Sequence, residues 1–152
     1  MFSMTKLNRQ PLPHTAAEIG EACVCLGLRK AARQVARRYD EALRPLDLTS
    51  GQFSIIAALV GETALPLGAL AERLGMDRTT LNRNLKPLEA RRLIATAAAE
   101  VDKRVRGLAL TAAGRNVLAQ ALPLWASAQE GSARRLGERG WRDLRERLRR
   151  LD

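Results

Sequence analysis

Residues 70–88 read Leu-Ala-Glu-Arg-Leu-Gly-Met-Asp-Arg-Thr-Thr-Leu-Asn-Arg-Asn-Leu-Lys-Pro-Leu, and their spacing predicts two helices joined by a sharp turn. Leu70, Ala71 and Leu74 share one face of a short helix that starts near Gly68. Gly75 supplies the permissive backbone that ends a helix abruptly, and Asp77 suits the cap of the next one. In that second helix Leu81, Leu85, Leu88 and Leu93 line one side. A short helix, a tight glycine turn and a second helix make a helix-turn-helix.

The face opposite the leucines offers Arg78, Thr79, Thr80, Asn82, Arg83, Asn84 and Lys86 as candidate DNA-binding residues. Such side chains donate to phosphates or read base edges, and a helix of this kind fits a major groove. A solvated surface helix is the competing reading, but it would more often mix Glu with Lys. Positions 78 to 86 hold no acid at all. Pro87 removes a hydrogen bond to the Arg83 carbonyl, at a cost of about 3 kcal/mol in a helix interior, and is expected to bend the helix there.

Outward toward the C-terminus, Leu93 to Ala97 and Val105 to Leu110 are two strand candidates, the second interrupted by Gly107. The intervening segment carries Asp102, Lys103 and Arg104 at its tip, and Arg106 follows. Together they predict a basic hairpin beside the second helix, in other words a wing. Lys103, Arg104 and Arg106 are candidate DNA contacts, because cationic side chains suit a narrow, electronegative minor groove. Asp102 would repel phosphate, so its expected task is to orient Arg104. From Asp77 to Arg106 there are eight basic and four acidic residues.

Upstream, Leu65-Pro66-Leu67 reads as a short extended piece. Thr49 and Gln52 form a capping-box pair, with Leu48 and Phe53 placed as a hydrophobic staple across the helix start. Ile55, Ile56, Leu59 and Val60 continue that helix to Gly61 as a buried core element.

Both flanks are helical. One helix is expected from about Thr15 to Leu43, with Leu28, Ala32, Val35, Tyr39 and Leu43 on a common face and Pro45 ending it. At the other flank Thr111 caps a helix bearing Val117, Leu118, Ala121, Leu122 and Trp125, which Pro123 should kink. Gly131, Gly137 and Gly140 are expected to loosen the chain before a last helix. Its narrow stripe, Trp141, Leu144, Leu148 and Leu151, suits helix-helix association, with packing on its own chain as the alternative.

Composition sets the outer limits. The 152 residues are 46% hydrophobic but only 3% aromatic, so the core must be aliphatic. A formal charge of +10 favours polyanionic partners, although an arginine-rich composition also follows from genome base bias. No apolar run approaches a membrane span, and the opening segment with Pro11 and Pro13 lacks a secretory pattern, so a cytoplasmic protein is expected. Two cysteines and the single His14 cannot fill a four-ligand zinc site within one chain. No metal, cofactor, catalytic triad or phosphate-cradling glycine loop is expected, and the chain does not read as an enzyme. Cys23 and Cys25, two apart in a helix, would point about 200° apart, which disfavours a mutual disulfide.

Four stretches carry a family resemblance: Leu-Thr-Ser-Gly-Gln-Phe at 48–53, Leu-Ala-Glu-Arg-Leu-Gly-Met-Asp-Arg-Thr-Thr at 70–80, Leu-Glu-Ala-Arg-Arg-Leu-Ile at 88–94, and Asp-Lys-Arg at 102–104 followed by Leu-Ala-Leu-Thr-Ala-Ala-Gly-Arg at 108–115. They resemble the MarR family of transcriptional regulators. The match spans Leu48 to Arg115, while the terminal helices agree in length and order only.

The resemblance implies a mainly α fold with a small β-wing. Residues 1–47 would form an N-terminal arm and dimerisation helix, 48–111 the winged helix-turn-helix lobe, and 112–152 C-terminal dimerisation helices. It also implies a homodimer on a pseudo-palindromic operator of double-stranded DNA. The expected activity is repression relieved by a small-molecule or oxidant signal. Asp102 and Arg104 match the family's wing Asp-x-Arg, and Arg78 to Lys86 its recognition helix. Gly68 departs from the Ser or Thr common there. One branch senses hydroperoxides through a first-helix cysteine, and Cys25 falls near that position, with Tyr39 near a thiolate-holding tyrosine. Arg29, one turn away from Cys25, replaces the branch's other tyrosine. An inert buried cysteine is the competing reading. Two other functions remain open, a nonspecific nucleoid protein and a winged domain used for protein contacts.

Overall fold

Thr49 starts the element on which the rest packs. Its hydroxyl accepts the Gln52 N–H at 3.2 Å while the Gln52 side chain accepts the Thr49 N–H at 3.0 Å, a reciprocal cap for α3, Ser50–Ala58. Phe53, Ile55 and Ile56 of this helix are buried, as is Leu59 at its C-cap. Phe53 stacks on Trp125 with ring centroids 6.0 Å apart. The core is otherwise aliphatic, as the composition requires.

The computed structural model describes residues 15–98, 106–137 and 139–151, so Asp102, Lys103 and Arg104 lie outside the described residues. Its helices are α1 (Ala16–Ala22), α2 (Val24–Leu43), α3, α4 (Leu67–Leu74), α5 (Arg78–Ala90), α6 (Ala112–Leu136) and α7 (Gly140–Leu148). Two strands, β1 (Ile94–Ala98) and β2 (Arg106–Leu110), pair antiparallel with Ile94 opposite Leu110 and Ala98 opposite Arg106. The expected fold class is the observed one. The chain forms two units, Met1–Gln34 and Val35–Asp152.

In the first unit the single helix expected from Thr15 is two. Thr15 and Glu18 form a capping box for α1, and the helix stops at Cys23, whose ψ of 106° is extended. The Cys23 N–H closes α1 onto Ile19 at 2.9 Å, and its sulfur accepts the Leu26 N–H at 3.4 Å to begin α2. Gly20 and Gly27 bracket the joint and lower its helical preference. Cys23 is therefore not helical, and the 200° separation argued for the two cysteines does not apply.

In the second unit α6 corrects the loosening expected at Gly131, which lies within the helix. It runs without a break through Pro123 and Gly131 and ends only at Gly137, φ 78°. Pro123 and Ala119, whose carbonyl loses its partner, are both exposed, so water can take up the missing bond. The same holds for Pro87 in α5, where Arg83 is exposed and the helix continues to Ala90.

Gly107 has a different task from the interruption expected of it. Leu65 and Leu108 exchange both backbone bonds, at 2.9 and 2.8 Å, which lays the Leu65 segment against β2. A Cβ on Gly107 would stand 2.5 Å from the Ala64 carbonyl carbon. Only glycine admits that backbone approach.

Candidate nucleic-acid interface

The candidate site is built on α5, and the turn before it is fixed by two local devices. Gly75 adopts the left-handed conformation, φ 59° and ψ 32°, that ends α4. Asp77 then caps α5, its carboxylate accepting the Thr80 N–H at 2.8 Å and the Thr80 hydroxyl at 2.7 Å. Those bonds, the backbone one foremost, hold the Asp77 carboxyl below the usual carboxylate range. Helix α4 starts at Leu67 with no side-chain cap. Arg73 braces it instead, donating to the Ala58 carbonyl at 2.9 Å and to Glu62 at 2.8 Å.

Leu81, Leu85 and Leu88 are buried, which fixes the rotation of α5. Arg78, Thr79, Asn82, Arg83 and Lys86 are exposed on the remaining surface. None of the three cations among them makes an ion pair with any described residue. Two members of the predicted set are placed differently. Thr80 is half-buried with its hydroxyl engaged by Asp77. Asn84 is half-buried, donates to the Thr80 carbonyl at 2.9 Å, and lies against Gly51, where a Cβ would meet its Oδ1 at 3.1 Å.

Beyond α5 the backbone turns through Arg92, a left-handed residue at φ 55°. The Thr111 hydroxyl donates to the Arg92 carbonyl at 2.7 Å and accepts the Gly114 N–H at 3.0 Å, tying this turn to the start of α6. A Cβ on Gly114 would overlap the Leu93 carbonyl oxygen at 2.0 Å, so α6 docks on the strand entrance by direct backbone approach. Arg106 opens β2, beside the undescribed tip residues. The hairpin root thus lies immediately after the exposed helix.

Sequence reasoning missed three contributors: Asp40, which accepts the Ser50 N–H at 2.6 Å; Arg91, which reaches the Leu46 and Asp47 carbonyls; and Arg115, which donates to the Leu110 carbonyl at 3.0 Å. Arg91 and its acceptors are separated by 44 and 45 positions, and no local pattern reveals such a pair. The Thr15-x-x-Glu18 cap was readable from its spacing alone.

Elsewhere, Cys25 is exposed and Cys23 half-buried, both as free thiols. The Tyr39 hydroxyl donates to Gln129, and burial raises the phenol above its ordinary pKa. An open depression of about 420 Å³ is lined by Arg38, Ala128, Gly131, Arg134 and Arg135. Among the described residues no helix is long and apolar enough to cross a membrane, and no group of three His, Cys, Asp or Glu is placed to hold a metal ion.

Comparison with known proteins agrees with this geometry. The MarR family profile matches residues 46–105. The transcriptional regulator HosA of Escherichia coli O127:H6 is 33% identical over 103 residues, covering 68% of this chain and 75% of HosA. A structure of the M. tuberculosis transcriptional regulator MosR in complex with DNA superposes with a TM-score of 0.73 at 39% identity, over 85% of this chain and 92% of MosR. The transcriptional repressor CouR bound to p-coumaroyl-CoA gives a TM-score of 0.76 at 25% identity, over 90% of this chain and 96% of CouR.

Proposed function

The chain belongs to the MarR family of transcriptional regulators, and from that premise we propose that it binds a pseudo-palindromic DNA operator as a homodimer and represses transcription until a signal releases it. One observation carries the DNA contact: in the acid-free stretch 78–86 of α5, Arg78, Thr79, Asn82, Arg83 and Lys86 are exposed while Leu81 and Leu85 are buried. In this reading Arg78, Thr79, Asn82, Arg83 and Lys86 enter the major groove. Lys103, Arg104 and Arg106 follow the minor groove, with Asp102 orienting Arg104. Thr80 and Asn84 chiefly hold the helix. MosR in complex with DNA supports the partner, and CouR bound to p-coumaroyl-CoA supports a small-molecule signal.

Apolar surface supports the dimer. Ile19, Val24, Leu26 and Leu28 of the first unit, and Leu136, Trp141 and Leu151 near the C-terminus, are exposed in the single chain. Apolar groups in such numbers call for a covering partner. A second copy would use residues 1–47 and 112–152, leaving 48–111 for DNA. The arginine-lined depression suits an anionic effector. Cys25 is a free thiol exposed in the single chain, within the segment assigned to the dimer contact, so an oxidant acting there would act at the interface.

The deciding experiment is a titration of random-pool duplexes against the protein, with its mass followed by sedimentation. A dimer that enriches an inverted repeat, with half-sites about 34 Å apart, is the expected result. Equal affinity for every sequence would favour the nucleoid reading, and a strict monomer would remove the dimer. Wild type and Cys25→Ser should then differ in release from the enriched duplex after mild peroxide; identical responses reject the thiol signal.

A further inference from the structure

The far end of the exposed helix is held by Arg91, a residue with no role assigned so far. It follows the last turn of α5, and its guanidinium reaches back to the linker that joins α2 to α3. Nη1 donates to the Asp47 carbonyl at 2.8 Å and Nη2 to the Leu46 carbonyl at 3.0 Å. The two acceptors belong to consecutive peptides, so the dihedrals of Asp47 set the angle between them. Asp47 is left-handed, φ 51° and ψ 43°, and with that turn one planar fork serves both carbonyls. A guanidinium matches such a paired acceptor, while an ammonium offers a single point.

The same linker is tied from its other side. Asp40, near the end of α2, accepts the Ser50 N–H at 2.6 Å. Residues 44–49 therefore lie between a tether on α2 and a tether on α5. The linker has little freedom to flex without moving one of those helices.

We propose that Arg91 is a positioning residue for operator recognition. It fixes the end of α5 to the linker, so that the direction in which the last turns of α2 leave the lobe and the direction of the base-facing surface are set together. This rests on the DNA-binding dimer reading. In a dimer the distance between two reading helices depends on that coupling, and so does the half-site spacing the protein accepts. Arg91 acts here through the backbone of Leu46 and Asp47.

The test uses the duplex enriched by wild type from a random pool. It is compared with versions carrying one base pair more or fewer between half-sites, and with an isolated half-site. Arg91→Ala should lower affinity for the enriched duplex about tenfold, the size expected for loss of charge-assisted hydrogen bonds. It should also shrink the penalty for altered spacing while leaving base preferences on the isolated half-site unchanged. Arg91→Lys keeps the charge without the fork and should not restore the spacing penalty. Restoration by lysine would mark Arg91 as a phosphate contact and overturn the proposal, as would an Arg91→Ala protein that keeps the full penalty. A wild-type protein that enriches no sequence overturns both this inference and the DNA-binding reading; a selective wild type with an unaltered Arg91→Ala overturns this inference alone.

Discussion

Arg92 is a side-chain-bearing residue in a conformation that suits glycine, φ 55°. Left-handed backbone costs most L-residues about 1–2 kcal/mol, and Arg92 is exposed, its bonds to Thr111 and Glu89 being backbone ones that glycine would keep. Arg92→Gly should therefore raise stability by up to about 1 kcal/mol, after glycine's larger unfolded-state entropy is allowed for, as a shift in the urea midpoint. Asp77 supplies a pH test. Its folded pKa is depressed by the Thr80 bonds, so its contribution is present above the unfolded carboxylate pKa and is lost as pH falls through the folded value. Asp77→Asn keeps a capping oxygen without the charge. The difference in stability between wild type and Asp77→Asn should depend on pH only in the acid carboxylate range and be flat above it.

At the scale of elements, the helices were legible wherever a local signal started or stopped them. Thr49 with Gln52, Gly75, Asp77 and Thr111 all act as their residue types suggest. Strand β1 is shifted by one residue from its expected limits, and β2 ends at Leu110 as expected. What failed was the loosening expected at Gly131. Pro87 and Pro123 sit inside helices because neighbouring turns are anchored by Leu88, Leu118 and Ala121, and burial of those residues outweighs a local penalty. Cys23 erred in the opposite direction, since Gly20 and Gly27 lower the helical preference around it but neither sits at the joint itself. Gly107 was read as a flaw in a strand, yet it admits the Leu65 segment. Gly107→Ala should cost roughly 1–3 kcal/mol, the range for overpacking, because the overlapping atoms are backbone and cannot rotate away. Chemical denaturation measures this, and an unchanged midpoint would mean the Leu65 pairing contributes nothing.

For the molecule as a whole, charge was legible and its disposition less so. The sequence displays a +10 balance and an acid-free stretch from 78 to 86. It does not display that Asn84 turns inward onto Gly51, a contact set by how α3 and α5 meet. Phosphate contacts release counterions, so affinity for the enriched duplex should fall by at least about 10³ between roughly 50 and 200 mM salt if six or more phosphates are engaged. Arg83→Gln should make the logarithmic slope shallower by about one where Arg83 holds a phosphate. A slope unchanged by that substitution would reserve Arg83 for base edges.

The unbroken α6 imposes a rule on how this chain can change length. Its early turns carry Leu118, Ala121 and Trp125 toward the lobe, and a turn later Gln129 meets Tyr39. Both engagements are phased by one screw of about 100° per residue. Inserting a single amino acid between 125 and 129 would swing Gln129 out of register with the phenol, whereas seven would return it close to phase some 10 Å further along. Insertions and deletions in relatives should accordingly gather beyond Gly137, where the helix has already ended.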